Sequence, residues 1–244
     1  MIRGTIKIYQ LSQIMNFNLI VDIQHHPISQ FLKKRDHIFS DFIKENKENI
    51  PFIFPGEVEK YITTLHTLDA QWCNTSTNDV VFFFSNDICN TPVDNDCKEF
   101  IRELLTPNDD FLLYFTEKIK EIPYNEYNIL HYRLGDSELV NCENSNIDNK
   151  ILQHLQRNFE PNDVLVSDSM IFKKFINDNT KGIFTFNTHI GHIGYHTDYE
   201  KLRDTLFEFF VITRAKKIKY YSVYGWTSGF VNIAKQIYDV EIYG

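Results

Sequence analysis

The chain has 244 residues, 43% of them hydrophobic and 24% charged, enough to bury a sizeable core in one large domain or two small ones. A net charge of −8, with no basic cluster long enough to form a stripe, excludes bulk nucleic-acid binding but leaves room for one small anionic ligand held by an arginine. Four cysteines without CxxC or metal-ligand spacing, no signal-peptide core and no apolar run of spanning length predict a reduced, cytoplasmic protein with structural cysteines and no membrane span.

In the first half, Ile6, Ile8, Leu11, Ile14 and Met15 predict a helix over 5–17, followed by a strand "NLIVDI" over 18–23. Residues 33–49 are charged and read as a solvated helix or loop. A second strand, "VVFFFS", is predicted over 80–85, and helices over 99–105 and 111–119. The second half alternates more regularly. Strands are predicted over 127–132, 163–167 ("DVLVS"), 182–186 ("GIFTF") and 217–223 ("KIKYYSV"), with "DVEIY" as a last strand. Between them, Ile147, Ile151, Leu152, Leu155 and Phe159 stripe one helix, and Met170, Ile171, Phe175 and Ile176 the next. Two more helices are predicted over 199–213 and 227–238. Such alternation indicates βαβ units and a parallel sheet, a Rossmann-like half. The fold class expected is α/β, with a boundary near residues 120–126, where "KEIPYNEY" combines proline with charge, giving domains 1–125 and 126–244.

The strand at 127–132 ends on "HYRLGDSEL". In an open parallel sheet, ligands bind beyond the carboxyl ends of the strands. His131, Arg133 and Asp136 fall at such an end. The planar fork of Arg133 suits a diphosphate, each charge-assisted bond contributing about 1.5–3 kcal/mol. Gly135 permits a tight turn, and Asp136 either accepts loop N–H bonds or orients Arg133. A plain Arg133–Asp136 salt bridge, with His131 a half-buried ring, is the competing structural reading.

The segment resembles the HxRxGD signature of GT-B glycosyltransferases of the fucosyltransferase superfamily, which spans α1,2-, α1,6-, nodulation-type and protein O-fucosyltransferases. Three further stretches are similar, in the same order: "VLVSDS" (164–169) to a strand ending in a small residue and an aspartate, and residues 202–234 to a motif with an acidic helix residue (Glu208), then Thr213 and Ala215, then a Ser/Thr-rich helix start. "RGTIKIYQLSQIMNFNLIVDIQHHPISQFL" is similar to the first helix and second strand of these enzymes. The resemblance implies two Rossmann-like halves, an N-terminal acceptor side and a C-terminal half that binds a GDP-sugar, most simply GDP-fucose, for inverting transfer to a glycan acceptor; the alternatives are the same fold with another GDP- or UDP-sugar, or a nucleotide- or glycan-binding module without turnover. It implies no metal and no cofactor besides the donor. Arg133 would grip the β-phosphate, His131 lie beside the ribose or base, and Asp168, with Ser169, read the guanine edge. Thr227, Ser228, Gly229 and Phe230 would meet phosphate at a helix N-terminus. For the catalytic base Glu138 is preferred, with Asp136 and Glu143 as alternatives. His25 and His26, before Pro27, either line the acceptor side or form a surface turn.

The chain departs from the family in three places. It opens at "MIRG", inside the glycine-rich loop that follows the family's first strand, so either the N-terminal half is abbreviated or the sequence starts late within it. Leu134 replaces a second basic residue, and no C-terminal helix crossing back to the first domain is predicted. "THIGHIGYHTDYE" adds His189, His192, His196 and Asp198. Zinc would need these histidines on one helical turn, whereas the two glycines favour a loop, read as a lid over the nucleotide. Tyr224 and Trp226 either stack on a base or sugar or pack into the core.

Overall fold

A computed structural model describes residues 2–24, 26–35, 39–54, 56–67, 84–85, 92–135, 147–191 and 198–243. The chain forms two compact units, Met1–His25 with Lys34–Leu104, and His26–Lys33 with Leu105–Gly244.

In the first unit, α1 (Ile2–Met15) buries Leu11 against Ile53, Val58 and Ile62. α2 (Ser40–Asn46) buries Ile43 and turns its charged residues outward. β1 (Phe52–Ile53) leads to α3 (Val58–Thr67), and β1 pairs in parallel with β2 (Phe84–Ser85). α4 (Asn95–Leu104) buries Cys97, Ile101 and Leu104, the i, i+4, i+7 spacing of one helical face. The strand expected over 18–23 is not formed. That run pairs with no strand among the described residues, and Ile20 is 51% exposed, so its apolar content does not line a sheet face. Of the strand expected over 80–85, residues 80–83 lie outside the described residues.

The second unit begins with a 3-10 turn, Pro27–Phe31. It is stitched to the chain after residue 104: the amide of Lys33 donates to Thr106 O (2.8 Å), and that of Asn108 to Phe31 O (3.0 Å). α5 (Asp109–Ile119) follows, capped by the Asn108 carboxamide. The division therefore falls at Leu104/Leu105, ahead of the proline-containing segment expected to mark it. The reason is packing, since Phe111 and Phe115 of α5 join an aromatic cluster with Phe207 and Phe210.

The rest alternates as expected: β3 (Asn128–Arg133), α6 (Asn149–Asn158), β4 (Asp163–Ser167), α7 (Met170–Asn179), β5 (Phe184–Thr185), α8 (Tyr199–Thr213), β6 (Lys217–Ser222), α9 (Gly229–Tyr238) and β7 (Glu241–Tyr243). The strands form one parallel sheet in the order β5-β4-β3-β6-β7. Counted from the unit's first strand this is 3-2-1-4-5, the order of a doubly wound Rossmann sheet. The unit is thus α/β and Rossmann-like.

Alternation along β3 divides its side chains between two cores. Leu130 and Tyr132 pack with Leu165, with Ile151 and Leu155 of α6, and with Phe172 and Ile176 of α7. Ile129, His131, Val164 and Val166 are equally buried on the opposite face, which is left to α8 and α9; these helices pack on each other through Phe209 against Phe230 and Tyr238. The buried face of α7 is Phe172, Lys173 and Ile176, rotated from the predicted stripe of Met170, Ile171, Phe175 and Ile176. A lysine occupies a core position because Glu208 of α8 meets it there at 2.6 Å.

Candidate functional site

The strand order reverses between β3 and β6: β4 and β5 extend the sheet to one side of β3, β6 and β7 to the other. In open α/β sheets, ligands bind at such a switch point, outside the carboxyl ends of the strands. Arg133 ends β3 at that edge, paired in register with Ser222, the last residue of β6. The chain leaving β6 runs through 223–227 into α9, whose amino end therefore lies at the same edge. Ser228 caps it, the hydroxyl accepting from Phe230 N at 3.2 Å. The Val223 amide donates to Arg133 O at 3.1 Å, tying the start of that loop to the arginine's own backbone.

Arg133 is held by Asp168. Its Nη1 donates to Asp168 Oδ2 at 2.6 Å, while the Leu134 and Gly135 amides donate to the same carboxylate at 2.8 and 3.3 Å. Gly135 has φ of 127°, a conformation open to glycine and strained for other residues. Burial pushes the Asp168 carboxyl up, against the opposing pull of the Leu134 amide and Arg133. The two tasks expected of Asp136, holding the loop and orienting the arginine, are thus performed by Asp168. Three donors thus occupy most of the acceptor capacity of the carboxylate expected to read a base edge. Asp136 itself lies outside the described residues, as do Glu138, Glu143, His25, His192 and His196.

His131 is buried, with Val166 of β4 and Tyr220 of β6 as its register partners. Its Nδ1 has no hydrogen-bond partner among the described residues. Burial, with the Arg133 charge adding to it, pushes the imidazole down to about 4, so it is neutral at pH 7. An orphaned ring nitrogen beside an arginine at a strand tip is a group that a bound hydroxyl or N–H could satisfy.

Several expected contact residues have structural work. Ser169 is buried and caps α7, its hydroxyl accepting from Phe172 N at 3.1 Å. Phe230 packs on Phe209, and Thr227 O accepts from the Asn232 carboxamide. His26 caps the 3-10 turn, with Nδ1 accepting from Ile28 N at 3.4 Å, and burial pushes it down to about 4. This gives His26 the structural work of a turn. Glu208 sits in the interior, where the Lys173 ammonium donates to it at 2.6 Å and to Thr188 Oγ1 at 2.5 Å, and the Thr188 hydroxyl donates to the same carboxylate. The segment expected to form a lid is fixed at its start. The His189 amide donates to Asp204 Oδ2 (2.9 Å) and the Gly191 amide to Thr205 Oγ1 (2.8 Å), both on α8.

Trp226 and Tyr224 do not pack into the core. Their rings stack at 4.9 Å and 18°, and Trp226 is 69% exposed. At the opposite, amino end of the sheet a cavity of about 430 Å³ is lined by Glu126, Asn128, Asn162, Lys216, Lys217 and Glu241. Lys216 is paired with Glu126 and Lys217 with Glu160, while the Glu241 carboxylate accepts from the Tyr243 hydroxyl. The carboxyl edge is the better candidate on chemical grounds. Among the described residues no cluster of metal-ligating side chains occurs, and no helix is long and apolar enough to cross a membrane. Neither a protein-family model nor a curated protein matches the chain.

Proposed function

We propose that the second unit binds the diphosphate of a nucleotide sugar and that the protein is an inverting glycosyltransferase acting on a glycan hydroxyl. The observation that carries this reading is Arg133, held by a buried carboxylate at the tip of the central strand, where the sheet order reverses and the amino end of α9 shares the edge. Guanidinium and helix dipole together suit two adjacent phosphates. They also offset the charge that develops on a departing diphosphate, so the reading needs no metal. In the transfer itself the acceptor oxygen forms a bond to the anomeric carbon as the bond to the diphosphate breaks. The hydroxyl proton passes to a carboxylate, for which Glu138 and Asp136 are the candidates from sequence. The donor implied by resemblance is GDP-fucose.

One observation favours a second reading on the donor. Because Asp168 is occupied by Arg133 and two amides, guanine has no assured edge reader there, and another GDP- or UDP-sugar fits as well. The test is calorimetric titration with GDP, UDP, ADP and CDP, without added metal, of the wild-type protein and Arg133→Ala. Binding that weakens by at least tenfold in the variant, with unchanged melting, supports the phosphate clamp. GDP selectivity then directs attention to GDP-fucose turnover, and UDP selectivity discards that donor. Equal binding by the variant removes the clamp, and no binding by wild type removes the reading.

A further inference from the structure

We propose that the Tyr224–Trp226 stack is the platform on which the base of a nucleoside diphosphate lies, its phosphates being held at Arg133 and the amino end of α9; this rests on the reading just given. An indole that is 69% exposed contributes little to the core, yet this one is held flat by a second ring, 4.9 Å away and 18° from parallel. Stacking on Tyr224 fixes the plane of Trp226 while leaving much of its surface in water. That arrangement suits a third planar ring.

Its place along the chain fits the same ligand. Val223, at the start of the loop, is hydrogen-bonded to Arg133, and Ser228, just past its end, caps α9. Trp226 is three residues from the first anchor and two from the second, within about 11 and 7 Å along even an extended chain. A base tethered through ribose to phosphates at those anchors can reach the indole.

The platform also changes what selects the ligand. An edge reader discriminates by hydrogen-bond pattern, whereas a stacking face responds to ring area. With Asp168 engaged by the Arg133 loop, Trp226 favours purine over pyrimidine diphosphates and does not by itself separate guanine from adenine.

The experiment measures GDP, ADP, UDP and inorganic pyrophosphate binding to the wild-type chain, Trp226→Ala, Trp226→Phe and Arg133→Ala. Trp226→Ala is expected to weaken GDP and ADP about tenfold, narrow their advantage over UDP, and leave pyrophosphate within twofold. Trp226→Phe is expected to restore most of the loss, and Arg133→Ala to weaken all four ligands. Unchanged GDP binding in Trp226→Ala overturns the platform while leaving the phosphate clamp standing. So does equal loss of GDP and pyrophosphate, which assigns Trp226 to loop structure. If wild type binds neither GDP nor pyrophosphate, the clamp fails and the platform with it.

Discussion

Replacing Lys173 with methionine isolates the buried charge pair between α7 and α8. The lysine is 2% exposed and Glu208 1%. The ammonium donates to Glu208 Oε1, Thr188 Oγ1 and Thr188 O, at 2.6, 2.5 and 3.3 Å, which uses its three protons. Methionine fills similar volume but leaves a carboxylate in the interior with the Thr188 hydroxyl as its remaining donor among these contacts. Stranding one member of such a pair costs about 3–5 kcal/mol, enough to lower a urea midpoint by roughly 1–2 M. The loss depends on pH. Burial already pushes the Glu208 carboxyl above its ordinary 4.5, with Lys173 and Thr188 opposing the rise. Without the lysine it rises further, so the folded variant retains a proton that the unfolded chain releases above that ordinary value. Its stability is then fully present below about 4.5 and lost as pH rises through the raised folded value. Urea unfolding followed by ellipticity should therefore show a larger gap between variant and wild type at pH 8 than at pH 5. The double variant Lys173→Met/Glu208→Leu should recover most of the loss, to within about 1 kcal/mol, because Thr188 keeps the Phe186 carbonyl as an acceptor at 3.4 Å. A variant that unfolds at the wild-type midpoint at pH 8, or a gap that widens at pH 5, would refute the argument.

Asp168→Asn should weaken GDP, ADP and UDP by the same factor, roughly tenfold, because it loosens the common arginine rather than a base contact; a loss confined to GDP would return the base-reading role to Asp168. The His131 imidazole, neutral because it is buried, should show no titration above about pH 5 by NMR. Its folded value is depressed, so the stability it contributes is present above 6.5 and lost as pH falls toward 4, and His131→Leu should flatten the stability profile across that window. Phe207→Ala should cost about 3–5 kcal/mol in chemical unfolding, since the ring meets Phe115 at 5.4 Å and Phe186 at 4.8 Å in a buried cluster.

The second unit was legible because its signals are long and local. In "DVLVS" a short apolar run becomes a fully buried strand, and the 199–213 helix was bounded correctly from its sequence, its start held by the Asp198 carboxylate. Short or unpaired elements were not. β1 has two residues and lies between Pro51 and Pro55, too brief for any period to register, while 18–23 has strand composition without a paired ladder among the described residues. At the candidate site, Arg133 was found from its place at the end of an apolar strand. Proximity in sequence pointed to Asp136, which lies outside the described residues, whereas register between β3 and β4 brings Asp168 beside the arginine, a partner no local pattern showed. The Lys173–Glu208 pair had half a signal: a lone glutamate inside "LFEFF" demands a buried cation, but nothing local says which lysine supplies it.

The eight residues His26–Lys33 give the chain an unusual schedule of assembly. They belong with the unit that begins at Leu105, and their partners Thr106 and Asn108 leave the ribosome more than seventy residues later. During synthesis this segment emerges long before its partners at Thr106 and Asn108, with Phe31 and Leu32, both buried in the finished protein, waiting in solvent or on a chaperone. A fragment cut at Leu105 would lack the strap that joins its first turn. Dissecting the protein into halves therefore calls for a rejoined chain, in which 26–33 is supplied ahead of residue 105, rather than a simple truncation.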